Sequence, residues 1–189
     1  MKALLIIDMQ VGSFKPETSR YDTDGVVTRI NSLSYYFRQN RDKVIFIQHD
    51  GTKEGSYIPG TSDWKILPSL IQLPSDIVLR KTANDSFYKS DLALVLKKYG
   101  ITEIVITGCA TDFCVDATIH SAINKDYNVV VIKDGHTTAH RPHLEAEKVI
   151  QHHNWLWENM IRTEGMITVV SSDEFMSKKE EFKCLNRFL

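Results

Sequence analysis

The sequence predicts one three-layer α/β domain over residues 1–189: a doubly wound, mostly parallel six-stranded sheet with helices on both faces. Three observations point there. Six short β-branched runs are apolar nearly throughout rather than alternating, the pattern of strands buried on both faces. Longer segments with helical spacing lie between them, and such alternation is the signature of a parallel, doubly wound sheet. A chain of 189 residues can also bury a full apolar core without a second domain.

Taken in order, the strands are predicted over residues 3–8, 43–48, 76–80, 103–108, 128–134 and 166–171. Val26, Val27, Ile30, Leu33 and Phe37 mark a first helix; Leu92, Val95 and Leu96 mark a second, with Gly100 as its stop. Val115, Ala117, Ile119 and Ile123 mark a third, and residues 144–161 a fourth. Within the fourth, His152-His153-Asn154-Trp155-Leu156-Trp157 reads as a face that packs on the sheet or on another subunit. Residues 50–74 carry glycines, prolines and Trp64 without a sustained period, which predicts a long functional loop. The charged tail after Ser172 is expected on the surface.

Lys and Arg total 23 against 24 for Asp and Glu, a formal charge of -1. No cationic excess is available for a phosphate backbone or an anionic bilayer, so neither nucleic acid nor membrane is expected as a partner. Asp8 cuts the N-terminal apolar run before a signal-peptide core is complete, and no other stretch reaches the length of a membrane span. A cytoplasmic protein is expected. Cys109, Cys114 and Cys184 form no C-x-x-C pair and cannot all pair within one chain, so reduced thiols are the simplest reading.

In an open α/β sheet the site lies outside the carboxyl ends of the strands. Three reactive groups fall there: Asp8, Lys81 and Cys114. Each has a plain alternative, as a turn or capping carboxylate, a solvated lysine and a small buried hydrophobe respectively. Cys114 is the most informative, because Thr107-Gly108-Cys109-Ala110-Thr111-Asp112-Phe113-Cys114 runs from a strand through a glycine turn into a helix. A thiol in the first turn of a helix is expected to have its thiolate stabilised and its pKa lowered. Together the three make a working set. A carboxylate can move the thiol proton, an ammonium can hold both anions, and backbone N–H groups can receive an oxyanion.

On these residues the chain resembles the isochorismatase-like cysteine hydrolases, the superfamily that contains nicotinamidases and other small-amide hydrolases. The motifs are Ala3-Leu4-Leu5-Ile6-Ile7-Asp8-Met9-Gln10, the segment from Lys81 to Phe87, and Thr107-Gly108-Cys109-Ala110-Thr111-Asp112-Phe113-Cys114-Val115, which matches a T-G-x-x-T-x-x-C-V pattern. The resemblance covers nearly the whole chain. It implies the isochorismatase-like hydrolase fold, a catalytic triad of Asp8, Lys81 and Cys114, and a cis peptide between Cys109 and Ala110. It further implies an oxyanion hole from the Ala110 and Cys114 amides, hydrolysis of a small amide or related C–N bond through a thioester, and a homodimer or homotetramer.

Two departures narrow that expectation. Metal-dependent nicotinamidases carry Asp-x-His followed by further histidines, whereas Gln48-His49-Asp50-Gly51 offers one imidazole and one carboxylate, too few for a protein-built zinc site. No catalytic metal and no cofactor are therefore expected, and nicotinamide is disfavoured as substrate. Asp85 and Phe87 also stand where the common pattern has Ser and an aromatic residue. Siderophore-type isochorismatases cleave a vinyl ether without the cysteine, and Cys114 argues against that chemistry. A redox role for Cys114 with Cys109 as resolving partner leaves Asp8 and Lys81 unexplained, as does a non-catalytic binding module.

Gln10, Phe14, Phe87, Tyr88 and His136 are expected to contact the substrate, with Trp64 considered beside them. His136, His140 and His143 surround Arg141-Pro142, which breaks helical spacing, and adjacent His152 and His153 diverge on a helix. Neither group converges on a metal. Cys109 and Cys184 are read as structural.

Overall fold

Alternate residues of the first strand feed two separate cores. In the computed structural model, which describes residues 1–177, strand β1 (Lys2–Ile7) sits at the centre of the sheet and is buried on both sides. Ala3, Leu5 and Ile7 point into one apolar cluster, and Leu4 and Ile6 into the other. A fully buried aliphatic side chain contributes about 1.5–3 kcal/mol, so a strand apolar on both faces is stable only when covered twice.

The remaining strands are β2 (Lys43–His49), β3 (Ile77–Lys81), β4 (Glu103–Cys109), β5 (Asn128–Thr137) and β6 (Ile167–Val170). Their order is β3-β2-β1-β4-β5-β6 and every neighbouring pair is parallel. The chain winds outward first from β1 to β3 and then from β4 to β6. The turning point between β1 and β4 opens a crevice at their carboxyl ends.

Helix α1 (Thr23–Gln39) covers one face through Val26, Ile30, Leu33 and Phe37. Helices α2 (Leu92–Lys98), α3 (Asp116–Ile123) and α4 (Ala146–Asn159) cover the other through Leu92, Leu96, Ile119, Ala122 and Trp157. All four fall within or beside the predicted segments. On α4, Trp157 is fully buried against the sheet while Trp155 is 63% exposed, so the histidine–tryptophan run is divided between core and surface.

Two departures have physical causes. The edge strand β3 alternates in burial because only one of its flanks is covered, so it differs from the run of twice-buried strands. Beyond Ser172 the chain does not simply lie on the surface, since Phe175 stacks on Phe37 with centroids 5.8 Å apart. The rest of the tail, including Cys184, lies outside the described residues. Among those residues no helix is long and apolar enough to cross a membrane.

Candidate active site

Three strand ends bring the reactive groups together. Asp8 is the first residue past β1 and adopts a left-handed backbone, φ 48°, which a short polar side chain tolerates. Its N–H donates to the Ile47 carbonyl at 2.9 Å, so the turn is tied to the neighbouring strand. Lys81 ends β3, paired in register with His49. Beside them β4 runs against β1, with Gly108 opposite Ile7. A Cβ on Gly108 would lie 2.2 Å from the Ile7 carbonyl oxygen, and its φ of +123° is itself open to glycine alone. The two strands approach this closely only because that side chain is missing.

After the cis peptide between Cys109 and Ala110, the chain enters a π-helical turn, Thr111–Val115, that carries Cys114 into α3. The Ala110 carbonyl accepts from both Phe113 N–H and Val115 N–H at 3.1 Å. This wide turn is braced from behind. His136 is 1% exposed and bridges Thr111 Oγ1 (2.9 Å, through Nδ1) to Asn154 Oδ1 (3.0 Å, through Nε2). Asn154 itself donates to the Lys133 carbonyl, so its oxygen faces the ring; Nε2–H donates to it and Nδ1 accepts the Thr111 hydroxyl. Burial pushes His136 down to about 4, which keeps the ring neutral. Trp157 Nε1 donates to Asp116 Oδ1 at 2.8 Å, a second strut from α4.

Lys81 is the hub. Its Nζ, 1% exposed at the residue level, meets Asp8 Oδ2 at 2.6 Å, Cys114 Sγ at 3.2 Å and the Ala83 carbonyl at 2.9 Å. Three ammonium protons thus have three acceptors. Burial alone would lower the Lys81 pKa, but Asp8 and Cys114 beside it raise it above the ordinary lysine value. The ammonium stays charged. Asp8 Oδ1, by contrast, is buried with no hydrogen-bond partner among the described residues. It is an acceptor held ready inside the site.

The Cys114 thiol departs from the expectation of a lowered pKa. Burial, and then the Asp8 carboxylate, push it well above the ordinary thiol range against the opposing pull of Lys81. The sulfur sits in the pocket wall beside Asn84, whose Oδ1 lies 3.6 Å away. At rest the raised value favours the thiol over the thiolate.

The isochorismatase domain model matches residues 2–171 of this chain. The chain belongs to the isochorismatase family. It is 30% identical to an isochorismatase family protein of known crystal structure, with a TM-score of 0.83 over 90% of this chain and 98% of that one. It is 28% identical over 138 residues to a streptothricin hydrolase from Streptomyces noursei, covering 73% of this chain and 50% of that protein. It is 35% identical over 86 residues to the ureidoacrylate amidohydrolase of Methylorubrum extorquens, covering 46% of this chain and 35% of that one. The matched region spans half or less of these curated relatives' length.

Within this isochorismatase-family pocket, Asp8, Cys114, Ala110 and Gln10 line the cavity, with Lys81 directly behind. Gln10 is fully buried and its amide is already committed: Oε1 accepts from His49 N–H, and Nε2 donates to the carbonyls of His49 and Trp64. It lines the cavity while its amide holds the loop wall in place.

Four expectations are corrected by position. His136 lies behind the π-turn and is buried there, so it positions Thr111 instead of touching substrate. Phe87 is in the core, stacked on Tyr127. Tyr88 is half exposed with Lys89 over its ring and lies outside the lining. Phe14 packs on the α1 core and also lies outside the lining. The aromatic walls are instead Tyr57, bonded to Ser13, and Phe113, with the Arg141 guanidinium 4.9 Å from its centroid.

Arg20, His49 and Asn84, with Ser13, Cys109 and Arg141, complete the lining that sequence reasoning missed. Phe113 and Asn84 lay inside the motifs themselves, and so were within reach. Nothing in the pattern around Arg20 or Tyr57 marks them. His49 is kept neutral, its pKa lowered by burial and by Lys81. Among the described residues no group of three or more His, Cys, Asp or Glu is placed to hold a metal ion.

Proposed function

We propose that this isochorismatase-family protein is a metal-independent cysteine hydrolase that cleaves a small amide or related C–N bond through a thioester on Cys114. The carrying observation is the Lys81 ammonium bonded at once to Asp8 Oδ2 and Cys114 Sγ while Asp8 Oδ1 stays open. That arrangement suits a proton shuttle beside a nucleophile.

Asp8 takes the Cys114 proton as Sγ bonds to the substrate carbonyl carbon, and the carbonyl π pair moves onto oxygen. The Ala110 and Cys114 N–H groups are the donors for that oxyanion, each worth roughly 3 kcal/mol in such sites. As the tetrahedral species collapses, the C–N bond breaks and Asp8 returns the proton to the leaving nitrogen. Water then attacks the thioester with Asp8 as base; the C–S bond breaks and the thiol is restored, releasing the acid. Lys81 keeps its proton throughout, offsetting whichever neighbour carries the negative charge.

The amidohydrolase and hydrolase names of the relatives support this class of reaction. A redox pair is disfavoured because Cys109 is 2% exposed and burial pushes its thiol up to about 12, which leaves it a poor resolving nucleophile. Incubation with a panel of small primary amides, followed by intact-mass measurement, is expected to show ammonia release and an acyl increment on Cys114. Cys114→Ala should lower turnover by at least about 10⁴-fold. Full activity in that variant would end the proposal.

A further inference from the structure

The charges around the pocket do not cancel, and the residue left over is Arg20. Three cationic side chains bear on the cavity. Lys81 has spent its three protons on Asp8, Cys114 and Ala83. Arg141 is locked in a fork on Asp112, with Nε to Oδ2 and Nη2 to Oδ1 both at 2.7 Å, and Nη2 also reaches Thr138 Oγ1 at 2.6 Å. Arg20 makes one bond, from Nε to the Ser13 carbonyl at 2.8 Å. Among the described residues it has no carboxylate partner, and its two terminal nitrogens make no hydrogen bond.

Arg20 is nonetheless held in place. Tyr21 N–H donates to the Thr138 carbonyl at 3.0 Å, the Thr137 hydroxyl donates to the Tyr21 carbonyl at 2.5 Å, and Thr23 Oγ1 donates to the Arg20 carbonyl at 3.1 Å. The segment is thereby fastened to the end of β5, beside the strand that leads to Cys114. The guanidinium lines the same cavity as Asp8 and Cys114 and is close enough for its charge to act on Cys109. A fixed, half-shielded guanidinium with an empty two-nitrogen edge is preorganised for a planar pair of oxygens.

We propose that Arg20 is the specificity residue of this site and that the substrate is a small amide carrying a carboxylate at the end remote from the scissile bond. The proposal rests on the hydrolase reading above. A carboxylate fits better than a phosphate on two grounds. With Arg141 neutralised by Asp112 and His49 neutral, the surplus is a single positive charge, whereas a phosphate brings about −1.5 to −2. The cavity, ≈ 210 Å³, also suits a short molecule whose two ends meet Cys114 and Arg20.

The test compares malonamate, succinamate and glutaramate with the uncharged diamides malonamide, succinamide and glutaramide, in wild type, Arg20→Gln and Arg20→Lys. Wild type should prefer at least one acid over its diamide by about 10- to 100-fold in kcat/KM, the effect of one charge-assisted pair, with the difference in KM. Arg20→Gln should bring the ratio near one and Arg20→Lys should restore part of it. A wild-type ratio of one or less across the series overturns the proposal, as does a preference that survives in folded Arg20→Gln. If no compound releases ammonia or loads Cys114, the hydrolase reading fails separately. Arg20 is then judged by calorimetry with succinate: binding lost in Arg20→Gln upholds a carboxylate site, and equal or absent binding in wild type removes it.

Discussion

The two sides of the cleft are built differently. On the nucleophile side, the π-turn rests on β4, β5 and α4, and its supports join residues far apart in sequence: Thr111 to His136, His136 to Asn154, Asp116 to Trp157, Asp112 to Arg141. On the opposite side, the loop from 50 to 66 is held by backbone contacts, by the Gln10 and Gln48 amides, and by the side-chain pairs of Tyr57 with Ser13 and Asp63 with Lys15, these side-chain ties all reaching segments early in the chain or β2. Its buried edge leaves His49 Nδ1 and Trp64 Nε1 without partners among the described residues. Cys114 and Arg20 therefore both sit on the braced side, Arg20 through a segment fastened to the end of β5, while Tyr57 lines the cavity from the less braced loop.

Substitutions should separate the two sides. Gly108→Ala is expected to cost most, about 3–5 kcal/mol in urea unfolding, because the added carbon meets the Ile7 backbone and the φ is wrong for alanine. A loss below about 1 kcal/mol would mean that β1 and β4 can part there without harm. Next comes Arg141→Gln, which breaks a half-buried fork and should cost about 1–2 kcal/mol at pH 7. Although burial raises it, the Asp112 carboxyl is held below its ordinary range by the Arg141 and Thr138 hydrogen bonds. Its contribution is therefore complete above the ordinary carboxylate pKa and disappears as pH falls through the depressed value. The gap between wild type and variant should narrow from about pH 4 downward, and a gap independent of pH would contradict the assignment.

Asp8→Asn sharpens the comparison within the braced side. It removes the neighbouring charge that raises the Cys114 thiol and leaves Lys81 in place. Iodoacetamide should then modify Cys114 at lower pH than in wild type, even as turnover disappears; an alkylation profile moved upward would reverse the roles given to Asp8 and Lys81. The smallest effect belongs to the loop side. Tyr57→Phe removes one hydroxyl pair with Ser13 at 3.1 Å and should change stability by less than about 1 kcal/mol, with any kinetic effect in KM. A larger loss there than in Arg141→Gln would collapse the contrast.

The same contrast governs what could be read from residues alone. All six strands and helices α1 to α4 were legible because buried strands and amphipathic helices write their periods into the chain, and it was the two edge strands, β3 and β6, that broke the expected burial on both faces. Asp8, Lys81 and Cys114 were legible as a set because each stands just past a strand or in the glycine turn. The thiol's raised pKa was not. Position in a helical turn signals a dipole, but burial and a carboxylate from another strand are tertiary facts. His136 was misplaced because a residue late in β5 can face either the cleft or the braces behind it. Arg20 and Tyr57 sit in aperiodic segments, where neighbours in space leave no spacing to detect.

The Gln10 amide carries one more consequence. Because it ties the backbone of His49 and the carbonyl of Trp64 to the chain two residues beyond Asp8, the loop is not an interchangeable cassette. A graft of this segment from a relative would need to keep a carbonyl at the Trp64 position, also contacted by Gln48, or the Asp8 turn would lose an anchor two residues away. Remodelling of the cavity is better begun at side chains such as Tyr57, which reaches the opposite wall through a hydroxyl pair with Ser13 rather than through the backbone.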